Sequence, residues 1–199
     1  MNRAENKAPA DPSPSAVVCV RFHAPGAFSA GEKAGLLSAR GRELLSACRA
    51  LANAPEGLGK KDAAGRPAPE GAWTWSISHK ETCAAAMAAP WPAGVDVERT
   101  GYAPSERLMA RVADRGEWEL LGGKGPEAFL RAWTAKEAAL KSRGLGLSAL
   151  SRCRVVEAWG EGMILEVSGE RVEVVHREFA GHLVCATAGK TPIRWEVCG

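Results

Sequence analysis

No apolar run in the 199 residues approaches the ~20 that a membrane-spanning helix needs. The opening stretch, MNRAENKAPADPSPSA, carries a charge pair and prolines but no apolar segment, so no secretory signal is expected. Six cysteines (Cys19, Cys48, Cys83, Cys153, Cys185 and Cys198) form no CxxC pair and no regular framework. Several lie inside apolar runs, which predicts buried reduced thiols rather than disulfides or a zinc site. An excess of one charge is missing too: 26 basic against 23 acidic side chains leave +3, well short of a nucleic-acid footprint. Nor is there a residue-level repeat. A soluble, cytoplasmic protein is expected.

What is present is organised in two stretches, enough chain for one domain or two small halves. Residues 1–15 are rich in Pro, Ala and Ser and are predicted to be disordered. A strand is expected at 17–22, then a helix over 31–53 with Leu37, Leu44, Cys48 and Leu51 at helical spacing and Asn53 near its end. The Gly/Pro-rich stretch 54–72 must be loop. Strands at 73–78 and 82–88 are expected around a turn at 79–81. The second stretch opens with a strand at 94–98, followed by helical segments at 105–121 and 127–143 separated by Gly122–Pro126. Pro126 suits a helix start and Gly144 a position just past a helix end. Strands are expected at 153–157, 163–168, 171–177 and 182–188, with a last short one at 193–197. This pattern predicts an α+β fold: a tail (1–15), an N-terminal half (16–92) and a C-terminal half (93–199), with helices on antiparallel sheets. A cleft between the halves is a candidate ligand site.

Two short segments carry the chemistry. In Gly94-Val95-Asp96-Val97-Glu98, residues two apart on a strand face the same way, so Asp96 and Glu98 point together while Val95 and Val97 face the core. In Trp133–Lys141, Glu137 falls within ~40° of Trp133 and Lys141 and ~20° of Leu130 around a helix. An ionised carboxylate on an apolar stripe is unfavourable unless compensated. A divalent cation shared with Asp96 and Glu98 would compensate it, and Lys141 could reach an anion beside the metal. Oxygen donors of this kind suit Mg²⁺. The combination points to metal-assisted phosphoryl chemistry. Lys136, about 100° round the helix from Glu137, is expected to be exposed and outside the site.

These motifs resemble the 4′-phosphopantetheinyl transferases, specifically their larger, pseudo-twofold monomeric type. The family's G-[IV]-D-[IV]-E stands as Gly94–Glu98, and its W-[ST]-x-K-E-x-x-x-K as Trp133–Lys141 followed by a glycine-bearing tail through Ser148. A G-[KR]-P turn is found as Gly65-Arg66-Pro67 and an I-S-H strand end as Ile77-Ser78-His79; Arg42-Glu43-Leu44-Leu45 extends the match into the first helix. Lys80-Glu81 replaces the family's small residue after I-S-H. The resemblance implies transfer of the 4′-phosphopantetheine arm of coenzyme A to a serine of an acyl or peptidyl carrier protein. It implies Mg²⁺ on Asp96, Glu98 and Glu137, with Lys141 stabilising the leaving group and Glu137 acting as base or as ligand only. It implies contacts from Arg42, Arg66, Ser78 and His79 to the phosphorylated adenosine end of coenzyme A, and a monomer.

Bland alternatives stand beside these. Ser78 and His79 are also what a polar hairpin turn would use, and Lys80 reads equally as helper or solvated residue. Arg107, Arg111 and Arg115 recur every four residues, as a docking stripe for an acidic carrier protein or as a wet helix face. The seven tryptophans, with Trp73 and Trp75 alternating on a strand and Trp133 on a helix stripe, read as core rather than as base-stacking platforms. A non-catalytic module holding coenzyme A or a carrier protein, and a metal-dependent phosphodiesterase, remain as other classes.

Overall fold

The computed structural model describes residues 15–24 and 30–199, so the tail expected over 1–15 lies, but for Ser15, outside the described residues. Val17–Phe22 forms β1 and Ala30–Leu51 forms the long helix α1. A hairpin of Thr74–Lys80 (β2) and Cys83–Ala89 (β3) follows. Its turn lies at Glu81-Thr82, later than expected, because Lys80 still pairs with Cys83. Alanine is a weak strand former, yet every residue of the alanine-rich β3 is buried. The strand is covered on both faces. Ala84, Ala86 and Ala88 meet Leu44, Leu45 and Cys48 of α1, while Cys83, Ala85 and Met87 share a core with Val18 and Val20. Leu37, Leu44 and Cys48 are buried as their spacing predicts, but Leu51 is 39% exposed. The helix is ending there, and the chain turns away through Asn53 at φ 52°.

The remaining elements are β4 (Val95–Arg99), α2 (Glu106–Val112), α3 (Arg115–Leu120), α4 (Pro126–Ser142) and a 3₁₀ turn (Leu147–Arg152). Then come β5 (Cys153–Trp159), β6 (Gly162–Val167), β7 (Glu170–Phe179), β8 (His182–Thr187) and β9 (Arg194–Val197). Among the described residues the strands form two sheets, ordered β2-β3-β1-β9 and β4-β8-β7-β6-β5. The fold is α+β. Helix α1 lies on the first sheet, and α4 packs Ala135, Ala138, Ala139 and Leu140 on the second. Val95, Val97, Val184 and Ala186 of the second sheet complete the core shared with β1 and β3. The last strand crosses back: β9 runs parallel to β1, with Val17 opposite Arg194, and so extends the first sheet. No helix among the described residues is long and apolar enough to cross a membrane. The six cysteines are free, and five are buried.

The helix expected over 105–121 is broken in two. Asp114 caps α3, accepting from Glu117 N while the Glu117 side chain accepts from Asp114 N. This reciprocal capping box needs an extended Asp114 and so ends α2 before it. The proposed arginine stripe is split as a result. Arg107 and Arg111 are exposed on α2, whereas Arg115 starts α3 and pairs with Glu119 at 2.9 Å.

Lys136 is also not where the helical wheel suggested. It is 2% exposed, with Nζ 2.6 Å from Glu117 Oε1 and a further hydrogen bond to the Val112 carbonyl. The Glu117 carboxylate, equally buried, accepts in addition from Val155 N at 2.8 Å and Asp114 N at 2.9 Å. One ion pair therefore fastens α2, α3 and β5 to α4. Removing one partner of such a pair strands the other charge in the interior, at a cost of about 3–5 kcal/mol. Lys136→Met should lose that much in urea unfolding, and adding Glu117→Gln should restore part of it. A loss below about 1 kcal/mol would show that the stranded carboxylate finds water.

Candidate active site

β2 and β4 are the outer strands of their sheets and lie side by side. Serine hydroxyls bridge them: Ser76 Oγ accepts from Val95 N (3.1 Å) and Ser78 Oγ accepts from Val97 N (3.4 Å). These bonds satisfy amide groups that an outer strand otherwise leaves open. Alternation then assigns the faces of β2. Ser76, Ser78 and Lys80 turn towards β4, while Trp75, Ile77 and His79 turn to the other side.

On β4 the same alternation buries Val95 and Val97 and turns Asp96 and Glu98 to α4. Asp96 is 4% exposed. Its Oδ1 accepts from Ser78 Oγ and from Lys141 Nζ, both at 2.7 Å. Its Oδ2 is buried with no partner. Glu98 Oε1 accepts from Trp133 Nε1 at 2.9 Å and pairs with Lys80 Nζ at 2.7 Å. The Glu137 carboxyl is held above its usual range, first by burial and then by the charge of Asp96, against the opposing pull of Lys141 and Lys80. Three carboxylates and two ammonium groups thus share one electrostatic neighbourhood.

Beside it opens a cleft of ≈ 610 Å³. Arg42 reaches it from α1, Lys61 and Arg66 from the long loop, His79 from β2 and Lys141 from α4. Among the described residues, none of the side chains lining it is acidic. Arg66 is presented by a tight turn in which Asp62 pairs with its guanidinium at 2.9 Å and accepts from the Ala64 and Arg66 amides. The far wall is the end of α4. Gly144, at φ +63°, lets its N–H return to Lys141 O and the Leu145 N–H to Leu140 O. This is the Schellman arrangement, and it swings Gly144, Leu145 and Gly146 into the wall. The His79 imidazole has a lowered pKa, chiefly from burial, with Lys141 and Lys80 adding to the effect.

Arg42, Arg66, His79 and Lys141 are therefore brought to one cleft, and Asp96, Glu98 and Glu137 lie behind Lys141. Ser78 is not on the cleft wall. It is 6% exposed and serves Asp96 and the Val97 amide. Lys61 was missed: the Lys60-Lys61 pair in the loop was its only signal in the sequence.

Among the described residues, no group of three or more His, Cys, Asp and Glu side chains is assembled to hold a metal ion. Ammonium groups take Asp96 Oδ1 and Glu98 Oε1. The donor chemistry nevertheless fits a hard divalent cation. Asp96 Oδ2 is an anionic oxygen buried without a partner, a costly condition that a cation would relieve.

A cation-lined cleft backed by three carboxylates, Asp96 buried and Glu98 and Glu137 half-buried, has the chemistry to suit a phosphate-bearing ligand. Residues 92–188, just under half of the chain, match the family model described as the 4′-phosphopantetheinyl transferase superfamily. The reaction that superfamily implies is transfer of phosphopantetheine from coenzyme A to carrier proteins. No curated protein matches the chain. The matched segment contains Asp96, Glu98, Glu137 and Lys141, while the hairpin with His79 and the turn with Arg66 lie outside it.

Proposed function

We propose that the protein transfers the 4′-phosphopantetheine arm of coenzyme A to a serine hydroxyl of an apo acyl or peptidyl carrier protein, with Mg²⁺, releasing adenosine 3′,5′-bisphosphate. The observation that carries this reading is Lys141, which lines the cationic cleft and also pairs with Asp96. One side chain so joins a phosphate-binding wall to the carboxylates. Arg42, Lys61 and Arg66 suit the phosphates of coenzyme A, guanidinium groups matching phosphate oxygens in pairs. Asp96, Glu98 and Glu137 are the residues to hold Mg²⁺, which when bound neutralises charge on the pyrophosphate.

The remaining steps belong to the chain's own groups. The serine oxygen attacks the β-phosphorus, and the phosphorus–oxygen bond to the adenosine-side phosphate breaks. Glu137, whose carboxyl burial and the Asp96 charge hold above its usual range, receives the serine proton as the ionised carboxylate. Lys141 stabilises the charge gathering on the departing phosphate. Exposed Arg107 and Arg111 on α2 are the surface proposed to meet an acidic carrier protein. The protein is proposed to act as a monomer in the cytoplasm, a reducing setting that suits its free cysteines.

Incubation with coenzyme A, Mg²⁺ and a panel of apo carrier proteins, followed by weighing the carriers, tests the reading. A carrier heavier by one phosphopantetheine supports it. Bound coenzyme A with unmodified carriers throughout would instead leave a non-catalytic binding module. The position of His79 gives a finer expectation. If it faces the 3′-phosphate, His79→Ala should weaken coenzyme A more than 3′-dephospho-coenzyme A by about 1.5–3 kcal/mol, the worth of one hydrogen bond to a charged group. Equal losses by calorimetry would assign His79 to the cleft wall alone.

A further inference from the structure

Lys80 stands apart from Lys141, the other ammonium group at the carboxylates, because it enters from β2 of the first sheet rather than from α4. β2 runs on through Lys80, paired with Cys83, so the side chain leaves the strand on the same face as Ser76 and Ser78. Its Nζ lies 2.7 Å from Glu98 Oε1. It therefore occupies one oxygen of the carboxylate set proposed to hold the metal.

The charges have a consequence for metal binding. With all three carboxyls ionised, Asp96, Glu98 and Glu137 against Lys80 and Lys141 leave a single net negative charge. Without Lys80 the cluster would carry two and match a divalent ion. With Lys80 in place, a divalent ion leaves one uncompensated positive charge, which an arriving pyrophosphate would balance. The unpartnered Asp96 Oδ2 marks the oxygen still open to a cation, whereas Glu98 Oε1 is already taken by Lys80.

We propose that Lys80 is a tethered cation that competes with the divalent metal in the free protein and is handed to the pyrophosphate when coenzyme A arrives. Metal and coenzyme A then bind with positive coupling, each favouring the other by the same factor. The proposal rests on the reading of Asp96, Glu98 and Glu137 as the metal-holding set.

The test counts bound Mn²⁺ by electron paramagnetic resonance, with and without coenzyme A, in the full chain and in Lys80→Gln and Lys80→Arg. The Lys80 side chain is 41% exposed, so both variants should fold, and Lys80→Met provides the same neutral readout. Without coenzyme A, Lys80→Gln should bind Mn²⁺ at least about ten-fold tighter than the wild type, since a like charge a few Å away is removed. Lys80→Arg should resemble the wild type. Saturating coenzyme A should close most of the gap. Equal affinities without coenzyme A would overturn the proposal while leaving the metal assignment intact, as would a gap unchanged by coenzyme A. Failure of every protein to bind Mn²⁺ under both conditions would overturn the metal assignment and this proposal with it.

Discussion

In the Asp96→Asn variant, transfer to the carrier protein is expected to fall by about 10³-fold or more while the fold survives. The substitution keeps the shape of the side chain. An amide oxygen can still accept from Ser78 Oγ and Lys141 Nζ, which both use Oδ1. The lost groups are the charge and the second oxygen. Where Oδ2 now lies buried and unpartnered, asparagine would present N–H groups that repel a cation. Loss of metal-based charge neutralisation typically costs several kcal/mol of transition-state stabilisation, and about 4 kcal/mol is three decades in rate. Lys141, deprived of its ionic partner, would also be less well placed for the leaving phosphate. Single-turnover rates from carrier-protein mass, beside thermal unfolding, measure both halves of the expectation. Turnover within ten-fold of wild type at saturating divalent metal would remove Asp96 from the site. Glu137→Gln should show a comparable loss, since it deletes a proposed ligand and the proposed base together.

The parts of this site that local patterning governs were legible in the sequence. A period of two separated Asp96 and Glu98 from Val95 and Val97, and Pro126 and Gly144 marked the ends of α4. What escaped was set by tertiary partners. The environment of Lys136 depends on Glu117, on another helix, and a helical wheel cannot supply that partner. The break at Asp114 did carry a local signal, the Asp-x-x-Glu of a capping box, but the four-residue recurrence of Arg107, Arg111 and Arg115 ran straight through it. Ser78 and His79 read together in the sequence, as joint contacts to coenzyme A or as one polar turn. A shift of the strand end by two residues, to Lys80, carries both inside β2 and so onto its opposite faces, one towards Asp96 and the other into the cleft. That same shift brings Lys80 to Glu98. The return of β9 to pair with β1 is a long-range choice with no signature in its four residues.

Gly94→Ala should be nearly as damaging as loss of a carboxylate, and for a purely steric reason. Gly94 does not lie in the left-handed region, so its backbone conformation suits any residue. The obstacle is α4. A Cβ at position 94 would stand 1.9 Å from the Ala138 carbonyl oxygen, 2.8 Å from its carbon and 3.0 Å from Ser142 N. All three are backbone atoms of one helix, and no rotamer change can move them aside. The strand cannot retreat either, because Gly94 N donates to Thr187 Oγ1 and Gly94 O accepts from Thr187 N, both at 2.9 Å. The helix must therefore lift from β4, and the turn that lifts carries Glu137 and Lys141. Overpacking a close contact typically costs 1–3 kcal/mol, and a backbone clash should reach about 3 kcal/mol at the upper end of that range. The catalytic loss should exceed what this destabilisation explains, since Lys141 would be drawn from its 2.7 Å contact with Asp96 and misplacement by about 1 Å can cost 10²-fold. Turnover measured well below the unfolding transition separates the two effects. If Gly94→Ala unfolds as the wild type does and transfers phosphopantetheine at an unchanged rate, β4 and α4 do not meet closely enough to set the site.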